Sequence, residues 1–304
     1  MPDRPPLLAL FGPTGVGKTA VAIALAERMR GRGEQPVAVS ADALQVYAGL
    51  ETLTGAATRS ERERLEHRLV GTVPVTDTFS AGRFAGLAHA EIDEALTEGR
   101  SPIVVGGTGL YLRAALCDLD LRPPAPAALR ERITARLELE GPEALYAELA
   151  GRAPERAAEI RPTDRSRLIR GLELLEMGDQ PAPAGAGSRL WTAELRHSTS
   201  LFGLTMQRQA LYELIEERVE TMVRGGAEDE VRRADAAGAS ATARKALGFE
   251  EMLNGDIDAM KRRTRNFAKR QLTWMRKLPG VTILEVTKLR PAQVAEEIDQ
   301  RRLA

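Results

Sequence analysis

A short unbroken apolar run, Leu7 to Phe11, opens the patterned part of the chain and gives way at once to glycines. Continuous apolar residues bounded by a turn signal predict a strand buried on both faces. Lys18 to Met29 then carries Val21, Leu25 and Met29 at the four-residue spacing of a helix. Val37 to Ser40 predicts a second strand ending in Ala41-Asp42, Ala85 to Glu98 a helix, and Pro102 to Val105 a third strand ending at Gly106-Gly107-Thr108. This alternation predicts an α/β fold, a parallel sheet core with helices on both faces.

The pattern changes near Asp118. Arg122-Pro-Pro-Ala-Pro reads as a linker, Leu129 to Gly151 and Ser166 to Met177 as charged helices, and Gln180 to Ser188 as a low-complexity joint. Residues 118–188 are therefore expected to form a mostly helical insertion, between a first part of the core at 1–117 and its completion at 189–304. Thr205 to Leu278 reads as mainly helical, followed by a late strand at Val281 to Val286 and a terminal helix.

Composition narrows the class. The 304 residues are 43% hydrophobic and 28% charged, as in an ordinary globular protein. One cysteine, Cys117, excludes an internal disulfide framework, and it reads as a small core residue. No apolar run approaches the roughly 18 residues of a membrane span, and Met1 to Pro6 has no signal-peptide pattern, so a cytoplasmic protein with no membrane partner is expected. The 43 basic and 43 acidic residues cancel, so only their distribution can speak for a nucleic acid.

The glycines after the first strand belong to Gly12-Pro13-Thr14-Gly15-Val16-Gly17-Lys18-Thr19, a full match to the phosphate-loop pattern G-x-x-x-x-G-K-[ST]. The glycines let backbone N–H groups turn onto an anion, and the following helix adds its positive end. Lys18 adds a point charge, and the Thr19 hydroxyl suits Mg²⁺. The bland alternative is a glycine-rich turn without a ligand. Asp42 and Thr108, just past the second and third strands, are expected to open toward this loop. Asp42 then serves as a general base or metal ligand, or else as a turn residue.

Two helices add chemistry. At about 100° per residue, Leu204, Leu211, Ile215 and Met222 form an apolar stripe on which Arg218 also falls. A core-facing guanidinium calls for an anion, either a structural carboxylate or a bound diphosphate. Lys261 to Lys277 holds eight Lys or Arg and no acid. There Phe267, Gln271, Trp274 and Leu278 line one face and Arg262, Arg265, Lys269 and Arg276 the opposite one, with Arg263, Arg270 and Lys277 flanking. That geometry offers phosphates a basic side. Trp274 reads as a core anchor, and Gln271 as a buried amide in need of a partner.

Together these segments resemble the tRNA dimethylallyltransferase (isopentenyltransferase) family. The resemblance is carried by Gly12 to Thr19, Ser40 to Tyr47, Val105 to Tyr111, Arg161-Pro-Thr-Asp with Arg167 to Glu173, Arg218 with Met222, Lys245 to Glu250, and Thr264-Arg with Lys269 to Trp274. It implies transfer of a dimethylallyl group from dimethylallyl diphosphate to the exocyclic amine of adenosine 37 in a tRNA anticodon stem-loop. Gly12, Pro13, Thr14, Gly15, Val16, Gly17, Lys18 and Thr19 would bind the diphosphate, with Mg²⁺ on Thr19. Asp42 would accept the amine proton, and Arg218 would stabilise the leaving group. Asp42, Ala43, Leu44, Gln45 and Thr108 would face the adenosine or its neighbours. Arg130, Ser166, Arg167, Leu168, Ile169, Arg170, Lys245, Gly248, Phe249, Lys269, Arg270, Gln271, Trp274 and Arg276 would hold the tRNA, with the protein acting as a monomer. The chain departs from the family pattern at Ala43-Leu44, along Gly49 to Ala57 with Ala56 replacing a lysine, at Glu66-His67, and at Leu214, where an arginine is common. Rival readings are a P-loop kinase of small molecules and a non-catalytic RNA-binding relative of the NTPases. The basic helix and the insertion argue against the kinase. Intact Lys18, Thr19 and Asp42 argue against the non-catalytic relative.

Overall fold

Every residue of β1 (Leu7–Phe11) and β2 (Pro36–Ser40) is buried. In the computed structural model, which describes residues 7–179 and 189–303, both lie inside one six-stranded sheet. The other strands are β3 (His67–Arg68), β4 (Ser101–Gly106), β5 (Thr199–Thr205) and β6 (Thr282–Glu285). Their order is β3-β2-β4-β1-β5-β6, and every pairing is parallel. Phe11 at the end of β1 is in register with Gly106 of β4 and Gly203 of β5. The loops after β1, β2 and β4 therefore leave the same edge of the sheet, where parallel sheets bind their ligands.

Helices α1 (Lys18–Arg30), α2 (Glu51–Thr54), α3 (Arg59–Arg64), α4 (Ala81–Thr97) and α5 (Gly109–Leu116) belong to the first part of the core. After the insertion, whose helices are α6 (Ala127–Arg152), α7 (Pro154–Ala158) and α8 (Arg165–Glu176), the core resumes. It adds α9 (Arg208–Arg224), α10 (Ala227–Ala236), α11 (Phe249–Leu253), α12 (Ile257–Met275) and α13 (Pro291–Leu303). Alternate residues of β1 feed two cores: Ala9 and Phe11 pack with Phe84 and Leu112, and Leu8 and Leu10 with Leu25 and Ile298. Each such aliphatic or aromatic side chain contributes about 1.5–3 kcal/mol by leaving water. The β1 end that carries the glycine loop is thus anchored on both faces. Among the described residues, no helix is long and apolar enough to cross a membrane.

The insertion is a separate compact unit, Arg122–Ser188, with its own core of Ile133, Leu137, Leu145, Leu149, Leu168 and Leu172. It begins at Arg122 rather than 118 because Leu119 and Leu121 pack against the sheet core. Its long first helix is broken at Gly141, whose φ of 83° precedes Pro142. The joint expected at Gln180 to Ser188 lies outside the described residues. Two strands were not foreseen. β5 escapes the apolar-run pattern because Gly203 interrupts it. A Cβ there would come within 2.8 Å of Met275 Sδ and 2.9 Å of Val281, so close packing requires the glycine. β3 has two polar residues, His67 and Arg68, and no apolar signature. The helix expected from Thr205 starts at Arg208, and Leu204 belongs to β5.

Candidate functional site

Between β1 and α1 the chain turns through two left-handed glycines, Gly15 (φ 85°) and Gly17 (φ 90°). Gly17 caps α1 without any side-chain acceptor, so the first-turn N–H groups of α1 are not satisfied by a cap, the condition for an anion site. The Lys18 ammonium folds back onto the loop and donates to the carbonyls of Gly12 and Pro13, both at 2.9 Å. Burial lowers its pKa to about 8, against an opposing pull from Asp42, and Arg218 lowers it further. Lys18 and Thr19 line a cavity of about 730 Å³ together with Asp42, Gln45, Gly55 and Arg218.

Asp42 follows β2 and is half-buried. Its Oδ1 accepts from the Leu44 N–H at 3.0 Å, an Asx turn that fixes the carboxylate in place. The turn role and the cavity-facing role thus coexist. Leu44 lines the cavity, and Ala43 packs against the core. Thr108 starts α5 without using its hydroxyl as a cap and does not line the cavity; Gly106 and Gly107 do.

Arg218 corrects the stripe expected for α9. The buried positions are Leu211, Ile215 and Val219, at a strict spacing of four, and Met222 and Arg218 lie beside them on the cavity wall. The Arg218 guanidinium donates through Nη2 to the Gly55 carbonyl at 3.0 Å. Its buried Nε has no partner among the described residues. Burial holds its pKa below the ordinary guanidinium value, with Asp42 and Glu61 pulling the other way.

The Gly55 carbonyl also accepts from the Gln45 amide at 3.3 Å, while Ser40 Oγ donates to Gln45 Oε1 at 3.0 Å. Gly55 has φ 57°, and a Cβ there would overlap the Arg218 guanidinium. The atypical stretch after Gly49 is therefore an ordered cavity wall that includes Ala56. It is held by Glu230, whose carboxylate accepts from the N–H groups of Thr52 (3.0 Å) and Leu53 (2.9 Å) at the start of α2. Glu230 lies far away in sequence on an acidic first turn, and nothing in the sequence singled it out.

On α12 the buried positions are Met260, Thr264, Ala268, Gln271 and Met275, so the inner face is rotated from the expected one and Phe267 and Trp274 sit at its margin. Trp274 anchors against Gly109, where a Cβ would collide with its ring, and its ring centroid lies 4.7 Å from that of Trp191. Gln271 does find partners: its Oε1 accepts from the Thr14 N–H and its Nε2 donates to the Gly107 carbonyl, both at 2.8 Å. Of the basic residues, Arg265 is held by Glu216, Arg263 by Glu251, and Lys261 by Glu220 at 2.8 Å. Lys269, Arg270 and Arg276 are exposed.

Several expected RNA contacts are sealed in cores instead. Phe249 and Leu168 have no exposed surface, and Gly248 and Ile169 are buried. They present their neighbours rather than themselves. Gly248 (φ 98°) starts α11 tight against Met260. Lys245, Ser166 and Arg167 are exposed. Arg130 (2.8 Å) and Arg170 (3.1 Å) both bind the fully buried carboxylate of Glu173, so their first task is to hold the insertion together.

A parallel sheet, a glycine cradle on its central strand and a separate helical unit define a P-loop α/β protein. The family described as IPP transferase matches residues 45–278 of this chain. A tRNA dimethylallyltransferase of Exiguobacterium sp. is 38% identical over 90% of the chain and 88% of its own length. The crystal structure of the full-length tRNA isopentenylpyrophosphate transferase of Bacillus halodurans aligns with a TM-score of 0.65 at 32% identity, covering 99% of this chain and all of that one. A eukaryotic dimethylallyltransferase acting on tRNA aligns with a TM-score of 0.77 at 25% identity, over 98% of this chain and 77% of that one. The chain belongs to the IPP transferase family.

Proposed function

We propose that this protein transfers a dimethylallyl group from dimethylallyl diphosphate to the exocyclic amine of adenosine 37 in tRNA. The observation that carries the reading is that Asp42 shares one cavity with two desolvated cations, Lys18 and Arg218, beside the glycine cradle. A bond forms between the amine nitrogen and the allylic carbon while the carbon–oxygen bond to diphosphate breaks, and the amine proton passes to Asp42. The amine is a weak base, so a fixed carboxylate contributes most once positive charge develops on nitrogen. Negative charge builds on the departing diphosphate, where Lys18, Arg218 and the first-turn N–H groups of α1 meet it. The unpartnered Arg218 Nε suits an anionic oxygen.

The residues present also fit Mg²⁺. No group of three or more His, Cys, Asp or Glu able to hold a metal occurs among the described residues. Mg²⁺ bound to a diphosphate needs few protein ligands, and the Thr19 hydroxyl is a hard oxygen donor in the same cavity. The ion would add electrostatic stabilisation of the diphosphate. For tRNA, the exposed Lys269, Arg270 and Arg276 of α12 and the exposed Ser166 and Arg167 of the insertion supply phosphate contacts. The adenosine must leave its stack to reach the cavity.

The test incubates purified protein with Mg²⁺, labelled dimethylallyl diphosphate and unmodified tRNA. Label in the tRNA, found as isopentenyladenosine, is the expected result. No transfer, or transfer of the γ-phosphate of ATP to a small acceptor instead, sinks the reading.

A further inference from the structure

Gln271 stands between the glycine cradle and the end of β4. Its neighbours on α12, Lys269 and Arg270, point outward, whereas its own side chain is 4% exposed. The amide is used at both ends, as acceptor for Thr14 N–H and donor to Gly107 C=O. Thr14 precedes Gly15, the first left-handed turn of the cradle, and Gly107 follows the end of β4. The fit is close: a Cβ on Gly107 would collide with Gln271 Nε2 and come within 3.0 Å of the Gly12 carbonyl.

Building on the proposed diphosphate site, we infer that Gln271 is a positioning residue for the cradle, a strut that fixes the Thr14 peptide against β4, and not an RNA contact. An amide is the side chain that meets an N–H and a C=O at once. With the Thr14 N–H engaged by Gln271, the peptides after it turn toward the cavity on the two left-handed glycines. A cradle ordered before ligand arrives spends no binding energy on ordering itself. Loss of the strut leaves the part-buried Thr14 N–H and the buried Gly107 C=O unpaired and lets the loop relax. The cost falls on diphosphate, while the outer face of α12 is untouched.

The test compares the parent with Gln271→Met, which keeps volume, and Gln271→Glu, which keeps the acceptor for Thr14 but loses the donor to Gly107. Three quantities are read: binding of inorganic diphosphate in Mg²⁺ by calorimetry, binding of an anticodon stem-loop RNA by fluorescence anisotropy, and the KM for each substrate. Gln271→Met is expected to weaken diphosphate binding by about tenfold or more, raise the KM for dimethylallyl diphosphate in proportion, and leave RNA affinity within about twofold. Gln271→Glu is expected to weaken diphosphate further, since it adds a negative charge beside the anion. Should the methionine variant melt below the assay temperature, the glutamate variant carries the same comparison. Unchanged diphosphate binding overturns the inference, as does a loss confined to RNA affinity. A parent protein that binds diphosphate and yet fails to prenylate tRNA instead overturns the functional reading and leaves the strut standing.

Discussion

Arg218 and Gly55 are locked together: the guanidinium Nη2 donates to the Gly55 carbonyl at 3.0 Å, and a Cβ on Gly55 would occupy the space the guanidinium fills. The side chain is thus set in the cavity wall by a neutral partner, and among the described residues no carboxylate forms a salt bridge with it. Such an arrangement holds a positive charge in reserve for an anion at a cost in folding energy.

Two changes follow for Arg218. Arg218→Ala should lower kcat about 10²–10³-fold, the range for removing one donor to developing negative charge, and Arg218→Lys should recover only part of it, because a point charge cannot copy the fork. Arg218→Ala should not lower the melting temperature, since a desolvated charge with an unpartnered Nε is being removed. A variant with parental kcat, or one that unfolds, contradicts the assignment. Gly55→Ala should mimic the kinetic defect by displacing the guanidinium.

Lys18 gives a pH signature. Its pKa in the free protein is about 8, lowered chiefly by burial. A bound diphosphate must raise that pKa, so binding takes up a proton. The lysine's contribution to affinity is therefore complete below pH about 8 and is lost as pH rises through the bound-state pKa, by at most about tenfold per pH unit. Diphosphate titrates as well, so the measurement is the ratio of dissociation constants of the parent and Lys18→Arg, from about pH 6.5 to about 9.5; the guanidinium stays charged throughout. A ratio that is flat with pH would refute the role.

For Asp42, the turn and the proposed chemistry can be separated. Asp42→Asn keeps an oxygen for the Leu44 N–H and removes the base, so kcat should fall about 10²–10⁴-fold with RNA and diphosphate affinities near parental. Asp42→Ala loses the turn bond too and should cost about 1 kcal/mol of stability in denaturant unfolding besides. Stopped-flow or single-turnover rates that match the parent in the asparagine variant would remove Asp42 from the reaction.

What could be read beforehand followed from how local each signal is. β1, the glycine cradle and α1 announce themselves within 24 residues, Leu7 to Arg30, because strand, turn and helix there each satisfy their own pattern. Asp42 was legible as the residue after a buried strand. β5 was not, since its neighbours Met275 and Val281, which demand Gly203, are distant in sequence. The clamp of Glu230 on α2 and the strut from Gln271 to Thr14 are likewise long-range hydrogen bonds, for which periodicity has no symbol. On α12 the period was right and the phase was wrong: large Phe267 and Trp274 drew the inner face to themselves, whereas small Thr264 and Ala268 occupy the closest approach.

That rotation changes which cations should meet RNA. Arg265 and Arg263 are committed to Glu216 and Glu251, and Lys261 to Glu220. Arg270 is exposed and lies over the Phe267 ring, 5.4 Å from its centroid, and Arg276 is exposed at the C-cap of α12. Phosphate contacts reveal themselves by counterion release, each contributing about 0.7–0.9 to the slope of log affinity against log salt. Arg270→Ala and Arg276→Ala should each reduce the slope for stem-loop RNA by close to one unit and weaken binding across sequences alike. Arg265→Ala should leave the slope as it was, because its charge is already matched within the protein. Anisotropy titrations at four or more salt concentrations decide the matter. Equal slope losses for Arg265 and Arg270 would show that the ion pairs of α12 open on binding and that the whole basic helix is its RNA surface.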